Sequence, residues 1–147
     1  ADWSLIREIK RNPRIKIPIF GNGDIDSPEK AANWRLEYEV DGIMIGRAAI
    51  GYPWIFREIK HFFETGEHLA GPTLQERIDT CRIHLQKSIA WKGPKTGIYE
   101  MRRHYANYFK GIPNFKEHRI KLVSLETEVQ IEDVLNDIGN KFELELV

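Results

Sequence analysis

The residues best suited to chemistry lie in two short glycine-containing loops, 21–24 (GNGD) and 46–47 (GR). Glycine lacks a Cβ, so backbone N–H groups in such loops approach phosphate oxygens closely, and a following helix N-terminus adds partial positive charge. Arg47 adds a fixed charge and a bidentate guanidinium. Asn-Gly is also an ordinary turn sequence, so the prediction of a phosphate site depends on the two loops occurring together.

The segments around these loops indicate two successive β/α units. Apolar spacing predicts a helix over 4–12, and the continuous apolar run 15–20 predicts a strand buried on both faces. Ser27 and Pro28 begin the next helix, 42–45 forms the second strand, and 53–63 forms the helix after it. Loops at the carboxyl ends of parallel strands meet at one edge of a sheet, so both should line one site.

Beyond the composition break at 65–72 the pattern is helical. Helices are predicted over about 73–91, 96–109, 115–125 and 129–138, with a capping box at Thr73 and Glu76. The predicted fold class is therefore α/β plus all-α. The last two β/α units of a TIM barrel occupy 1–65, and a small C-terminal helical bundle occupies 72–147. Since a complete barrel takes about 250 residues, roughly six units should precede Ala1.

Composition narrows the classes of function. Basic and acidic residues balance at 22 each, and Cys81 is the single cysteine, which argues against a disulfide scaffold or a cysteine-rich metal site. No apolar run approaches the roughly 20 residues that span a bilayer, and no secretory leader is recognisable. We expect a cytoplasmic protein without a metal, and the helical start at Ala1 without methionine indicates part of a longer chain.

Several ordered segments carry a family resemblance: 18–25 (PIFGNGDI), 42–49 (GIMIGRAA), 53–59 (PWIFREI), and 101–104 (MRRH) with Tyr108. Together they resemble the tRNA-dihydrouridine synthase family. The similarity is strongest to the bacterial branch labelled as nitrogen-regulation proteins, and it extends over nearly the whole chain. Arg103 departs from that branch, which usually has lysine there, so the charge is kept but its geometry changes.

The resemblance implies an oxidoreductase of tRNA processing, in which NADPH reduces FMN and the flavin reduces the C5–C6 bond of a uridine to dihydrouridine. It assigns the FMN phosphate end to matching positions in the two loops, Asn22, Gly23, Asp24, Gly46 and Arg47. It places the catalytic cysteine and a lysine beside the flavin on earlier barrel strands, so no catalytic residue lies in this chain, which alone should be inactive. Cys81 lies on an apolar helix face and is expected to be structural.

The helical segment carries a charge that the neutral total conceals. Between Lys95 and Lys121 there are seven basic and two acidic residues, a local net charge of +5, while the tail from Glu126 through Glu145 is acidic. Tyr99, Tyr105, Tyr108 and Phe109 alternate with the cations, as base stacking requires. With the resemblance, this predicts a tRNA-binding surface formed by Lys95, Arg102, Arg103, His104, Lys110 and Arg119. The alternative places Tyr105 and Tyr108 in a core beneath a solvated basic face.

Two further interpretations stay open from sequence. One is an FMN-barrel oxidoreductase that acts on a small molecule, and the other is a non-enzymatic regulator that binds nucleic acid. The basic helical segment argues against the first, and the lack of helix-turn-helix spacing argues against DNA in the second. We also expect the chain to self-associate, because two β/α units without the rest of a barrel expose apolar surface.

Overall fold

The computed structural model describes residues 1–143, over which the chain is mostly helical, with seven α-helices and two short β-strands. The chain divides into two units, 1–71 and 72–147. Both strands lie in the first unit. Glu145, part of the predicted acidic tail, lies outside the described residues.

The first unit has the two predicted β/α repeats with a helix before them. Ser27 caps its second helix, where the Ser27 hydroxyl accepts a hydrogen bond from the Lys30 backbone N–H at 3.2 Å and proline occupies the first turn. In chain order the elements are α1 (Ser4–Arg11), β1 (Phe20–Asn22), α2 (Pro28–Tyr38), β2 (Gly42–Met44), a 3₁₀ turn (Arg47–Ala49) and α3 (Ile55–Thr65).

The two strands pair in parallel, and β1 is shorter and later than predicted. Phe20 pairs with Gly42 and Asn22 with Met44, while 15–19 is not strand. The expectation of a strand over 15–20 buried on both faces is wrong for this chain, because β2 offers a partner only from Gly42 onward. Phe20 is 64% exposed.

The core of the first unit forms around Trp3. Its ring packs edge-on against Trp34 at 4.8 Å between centroids, and the cluster includes the buried side chains of Ile55 and Ile59. Gly21 lies directly against the same ring: a Cβ added there would meet Trp3 Cζ3 at 1.9 Å. Glycine at position 21 is therefore required by packing within the unit, whatever its role in a loop.

Over its described residues the second unit consists of four helices, α4 (Leu74–Lys92), α5 (Pro94–Tyr108), α6 (Lys116–Ser124) and α7 (Glu128–Glu143). The capping box that opens α4 is confirmed: Thr73 Oγ1 accepts from the Glu76 N–H, and Glu76 Oε2 accepts from the Thr73 N–H at 2.9 Å. Gly93, at φ 79°, ends α4, and Pro94 begins α5 at once. The turn between α4 and α5 is therefore tight.

A shared core joins the four helices. Fully buried side chains come from each of them, including Leu85, Met101, Leu122 and Leu135. Where α4 and α5 cross, the helices touch backbone to backbone, since a Cβ on Gly97 would lie 2.7 Å from the Ile89 backbone. The second unit thus has its own apolar interior, and α5 presents one face to that interior and another to solvent.

Candidate functional site

The two glycine-containing loops line one cavity of about 660 Å³ in the first unit. Asn22, Gly23 and Asp24 border it from the end of β1, and Gly46 and Arg47 border it from beyond β2. Parallel pairing brings this about, because Asn22 and Met44 are partners at the carboxyl ends of their strands. The structure therefore brings together all five residues that sequence assigned to one site.

The first loop turns sharply through left-handed backbone. Gly23 has φ 129° and Asp24 has φ 51°. Glycine tolerates such angles freely, and aspartate is among the few other residues that adopt them. The turn brings the Asp24 carboxylate within hydrogen-bond distance of Arg47, which begins the 3₁₀ turn after β2.

Arg47 and Asp24 form an ion pair across the cavity. Arg47 Nη2 donates to Asp24 Oδ1 at 2.7 Å, and the Ala1 amino group also contacts the Asp24 carboxylate. The Arg47 side chain remains 87% exposed, so most of its guanidinium is accessible to a ligand.

The cavity combines features suited to a ligand with both a phosphate and hydroxyl groups. A Cβ added to Gly46 would meet no atom within 4 Å, so packing does not require glycine there and the space above its backbone is open. Arg47 supplies the positive charge, while the carboxylates of Asp24 and Asp26 border the same space as acceptors. These residues fit a phosphate group at Arg47 and hydroxyl donors at the carboxylates.

In the second unit, most of the predicted basic residues are exposed. Four of the six lie at the surface along α5 and α6: Lys95, Arg103, Lys110 and Arg119. Lys95 is in the first turn of α5, and Lys110 follows its end, so these two ammonium groups are on the order of 20 Å apart along the helix axis. That span would cover several phosphates of a nucleic-acid backbone.

Arg102 is held within the unit. Its Nη2 donates to the Leu125 carbonyl at 3.3 Å, at the end of α6, and its guanidinium lies 4.7 Å from the Tyr99 ring centroid. A cation at a helix C-terminus satisfies a free carbonyl and interacts favourably with the helix dipole. Arg102 therefore joins α5 to α6, in addition to any role at the surface.

His104 lies beside His84, their ring centroids 4.7 Å apart. Arg103 Nε donates to His104 Nε2 at 3.2 Å, so that nitrogen is the acceptor of a neutral ring. Burial, aided by the nearby His84 and Arg103, lowers the pKa of His104 to about 4. At neutral pH His104 therefore adds no positive charge to the predicted RNA-binding surface.

Three of the four aromatic residues predicted to stack on bases are buried. Tyr105, Tyr108 and Phe109 are at most 3% exposed, which confirms the alternative that the two tyrosines belong to the core. Burial raises the pKa of both tyrosines, and the Tyr108 hydroxyl lies 3.1 Å from His84 Nδ1. Among the four, only Tyr99 has an exposed ring. The stacking prediction is wrong for the other three.

The Cys81 side chain is fully buried in α4, as its apolar surroundings predicted. Desolvation raises the pKa of its thiol well above the ordinary value. The reactive form of cysteine is the thiolate, so burial makes Cys81 unreactive. This supports a structural role.

Comparison with known proteins gives these features a common context. The family model described as dihydrouridine synthase (Dus) matches residues 1–143. The chain belongs to the dihydrouridine synthase family. The match includes both loops of the cavity and all of the basic residues on α5 and α6.

The sequence identities to individual proteins support this family assignment. The chain is 43% identical over 135 residues to the tRNA-dihydrouridine synthase B of Pseudomonas putida, covering 91% of this chain and 40% of that relative. It is 37% identical over 119 residues to the probable tRNA-dihydrouridine synthase of Rickettsia conorii, covering 81% of this chain and 35% of that relative. This dihydrouridine synthase family chain thus spans roughly two fifths of the length of such relatives.

Within 1–143, no group of three or more His, Cys, Asp or Glu side chains could hold a metal ion. None of the helices in the described part of the chain combines the length and apolar character needed to cross a membrane.

The structure also reveals residues that sequence reasoning missed. Trp91, at the end of α4, is 81% exposed, and with Lys87 it lines a cavity that Arg103 borders from α5. The aromatic residues predicted to stack lie on or next to α5, where most of their side chains face the core. An aromatic residue in the last turn of an amphipathic helix, beside lysine, was the feature that could have identified Trp91.

Proposed function

We propose that this chain is the C-terminal part of a flavin-dependent tRNA-dihydrouridine synthase, which reduces uridine to 5,6-dihydrouridine in tRNA. The observation that carries the proposal is the family match across 1–143, which includes both loops of the cavity. In this proposal 1–65 forms the end of a TIM barrel, and 72–147 forms a helical tRNA-binding bundle. Because it acts on tRNA, the parent protein is assigned to the cytoplasm.

The cavity in the first unit is proposed as the phosphate end of an FMN site. Arg47 would pair with the phosphate, which could approach the open Gly46 backbone closely, while Gly23 borders the same cavity from the first loop. On the other side of the cavity, the Asp24 carboxylate would accept hydrogen bonds from the polar chain that joins the phosphate to the flavin, and the Asn22 amide would donate or accept them. When bound and reduced by NADPH, FMN supplies the hydride for the uridine ring.

Arg47 is already poised for such a ligand. Its ion pair with Asp24 holds the guanidinium at the cavity border, while the side chain stays largely exposed. An arriving phosphate would compete with the Asp24 carboxylate or share the guanidinium fork with it. The expected result is that replacing Arg47 weakens FMN binding more than replacing an exposed arginine elsewhere in the first unit.

The helical unit is proposed to bind the tRNA body. Four exposed cations on one stretch of chain, Lys95, Arg103, Lys110 and Arg119, supply the sequence-independent attraction to phosphate that dominates nucleic-acid affinity. Arg102 belongs to the same predicted surface but shares its guanidinium with the end of α6. His104 is assigned to this surface as a neutral hydrogen-bonding group. DNA is not an expected partner.

The proposed catalytic groups are outside this chain. Cys81, the one cysteine, is buried and its thiol is unreactive. Incubated with FMN, NADPH and unmodified tRNA, the chain alone is expected to form no dihydrouridine. Product formed by this chain alone would contradict the assignment of catalysis to another part of the parent protein.

The direct test of the activity uses the parent gene. Its deletion should remove dihydrouridine from one or more tRNA positions, measured by mass spectrometry of purified tRNA. A wild-type copy should restore the modification, and a copy with Arg47→Ala should restore less of it unless FMN is in excess. Arg14→Ala, which removes an exposed arginine that is not among the residues lining the cavity, is the matched control. Unchanged dihydrouridine after deletion would contradict the proposal.

A further inference from the structure

A second cavity, of about 290 Å³, lies between α4 and α5 in the helical unit. Its border includes His84, Lys87 and Trp91 from α4, and Glu100, Arg103 and His104 from α5. Lys87 and Trp91 are four residues apart, so they lie on the same face of α4, and Arg103 reaches the cavity from the other helix. The cavity is separate from the two-loop cavity of the first unit, since every residue lining it belongs to 72–147.

The border of this cavity is positively charged. Lys92 pairs with Glu100 at 2.5 Å, which neutralises that carboxylate. Within the described residues, neither Lys87 nor Arg103 forms an ion pair with a carboxylate, so two cationic groups remain for a ligand. The two histidines add no charge at neutral pH, because burial lowers the pKa of both. The charge therefore selects for an anion.

Trp91 gives the same cavity a flat apolar surface. Its side chain is 81% exposed, which is unusual for the largest aromatic residue, and the Lys92 ammonium lies 4.6 Å from the ring centroid. An indole that stands free of the core next to cations can stack on a planar ring while the cations hold a charged group attached to it. A nucleotide with an unpaired base has both parts.

We propose that this cavity is a subsite for one unpaired RNA nucleotide, with its base stacked on Trp91 and its phosphate held by Lys87 and Arg103. The inference rests on the proposed tRNA-binding function of the helical unit and extends it to residues outside the predicted surface. Base pairs inside an RNA duplex do not fit this site, because they are stacked on each other and leave no free face for the indole.

The test measures binding of three RNA probes to the full chain by fluorescence anisotropy: an unmodified tRNA transcript, a blunt RNA duplex of similar length, and a short oligouridylate. Trp91→Ala should weaken tRNA and oligouridylate binding roughly tenfold, while Trp91→Phe retains most of the affinity. The salt dependence should not change in Trp91→Ala, because no charge is removed. Lys87→Ala should instead reduce the log–log salt slope by about 0.7.

Ile83→Ala is the matched control, since it removes another exposed apolar side chain from α4. Equal tRNA affinity of wild type and Trp91→Ala would overturn the subsite and leave the proposed function standing. Equal weakening of duplex and tRNA binding would overturn the assignment to an unpaired base. If the chain binds no tRNA but oligouridylate still quenches the tryptophan fluorescence of wild type and not that of Trp91→Phe, the proposed function fails and the subsite stands. Absence of both effects overturns both.

Discussion

Arg102 and Arg103 are neighbours on α5, yet their side chains have different surroundings. The Arg102 guanidinium contacts the Tyr99 ring and donates a hydrogen bond to the carbonyl of Leu125, the residue that follows α6. Arg103 is exposed and contacts only the adjacent His104 ring among the described hydrogen bonds. At this scale, one arginine supports the fold and the other is available to a ligand.

This difference predicts opposite outcomes for the two alanine variants. Arg102→Ala should lower the free energy of unfolding by about 1–2 kcal/mol, because it removes a charge-assisted hydrogen bond and leaves the Leu125 carbonyl without that donor. Arg103→Ala should change it by less than about 0.5 kcal/mol, as exposed substitutions usually do. Urea unfolding followed by circular dichroism measures both. Equal stability of the two variants would contradict the assignment.

The environment of His104 predicts a pH dependence. With a pKa of about 4 in the folded chain and about 6.5 when unfolded, the folded ring stays neutral while the unfolded ring binds a proton between these values. The free energy of unfolding should therefore fall as pH is lowered from about 6.5 to about 4. An NMR titration should give the His104 ring a midpoint near 4, and His104→Gln should weaken the pH dependence. A midpoint near 6.5 would be incompatible with the described packing.

Residue types and spacing predicted part of the candidate sites. The loops were recognisable because glycine and arginine at strand ends are local features, and parallel pairing then brought Asp24 and Arg47 together. The orientation of side chains around α5 was not recognisable in the same way. From the sequence, Tyr105 and Tyr108 could either stack on RNA or fill a core, and the packing of α4 against α5 decides between these roles.

Among the secondary-structure elements, helix starts were better predicted than strands. Ser27 and Thr73 cap their helices through local hydrogen bonds that a few neighbouring residues determine. The run 15–20 needed a partner strand along its whole length, and β2 pairs only with Phe20–Asn22. Before that, Asp41 bonds Ile19 by accepting from the Ile19 N–H and donating its own N–H to the Ile19 carbonyl. Strand extent is thus a tertiary property.

The crossing of α4 and α5 gives a prediction at the scale of elements. Gly97→Ala should destabilise the chain by about 1–3 kcal/mol, despite the better helix propensity of alanine, because the new Cβ would lie 2.7 Å from the Ile89 backbone. Gly139→Ala in α7 is the matched control, since its Cβ would be 3.5 Å from the nearest atom, Ile78 Cδ1, and stability should rise by up to about 1 kcal/mol. Thermal unfolding compares them. Stabilisation by Gly97→Ala would show that the helices do not meet this closely.

At the scale of the whole chain, the first unit exposes large apolar side chains. Leu36 on α2 is 77% exposed and borders an apolar groove with Phe62 and Phe63 of α3. We predict concentration-dependent self-association, measured by sedimentation velocity, and expect Leu36→Glu to reduce it. Ile83→Glu, at an exposed position of the helical unit, is the control and should have little effect. A monomer at every concentration tested would refute the prediction.

We propose above all that the helical unit of this dihydrouridine synthase family chain binds tRNA. The most direct measurement is the affinity of the chain for unmodified tRNA over a salt series. Two fourfold alanine variants are compared, one of Lys95, Arg103, Lys110 and Arg119, and a matched one of the exposed first-unit residues Arg14, Lys16, Arg35 and Lys60.

The first variant should bind tRNA far more weakly, and its log–log salt slope should fall by about three, at roughly 0.7–0.9 for each lost phosphate contact. The second variant removes the same number of charges and should keep most of the wild-type affinity and slope. Wild-type affinity and slope in the first variant would contradict the account.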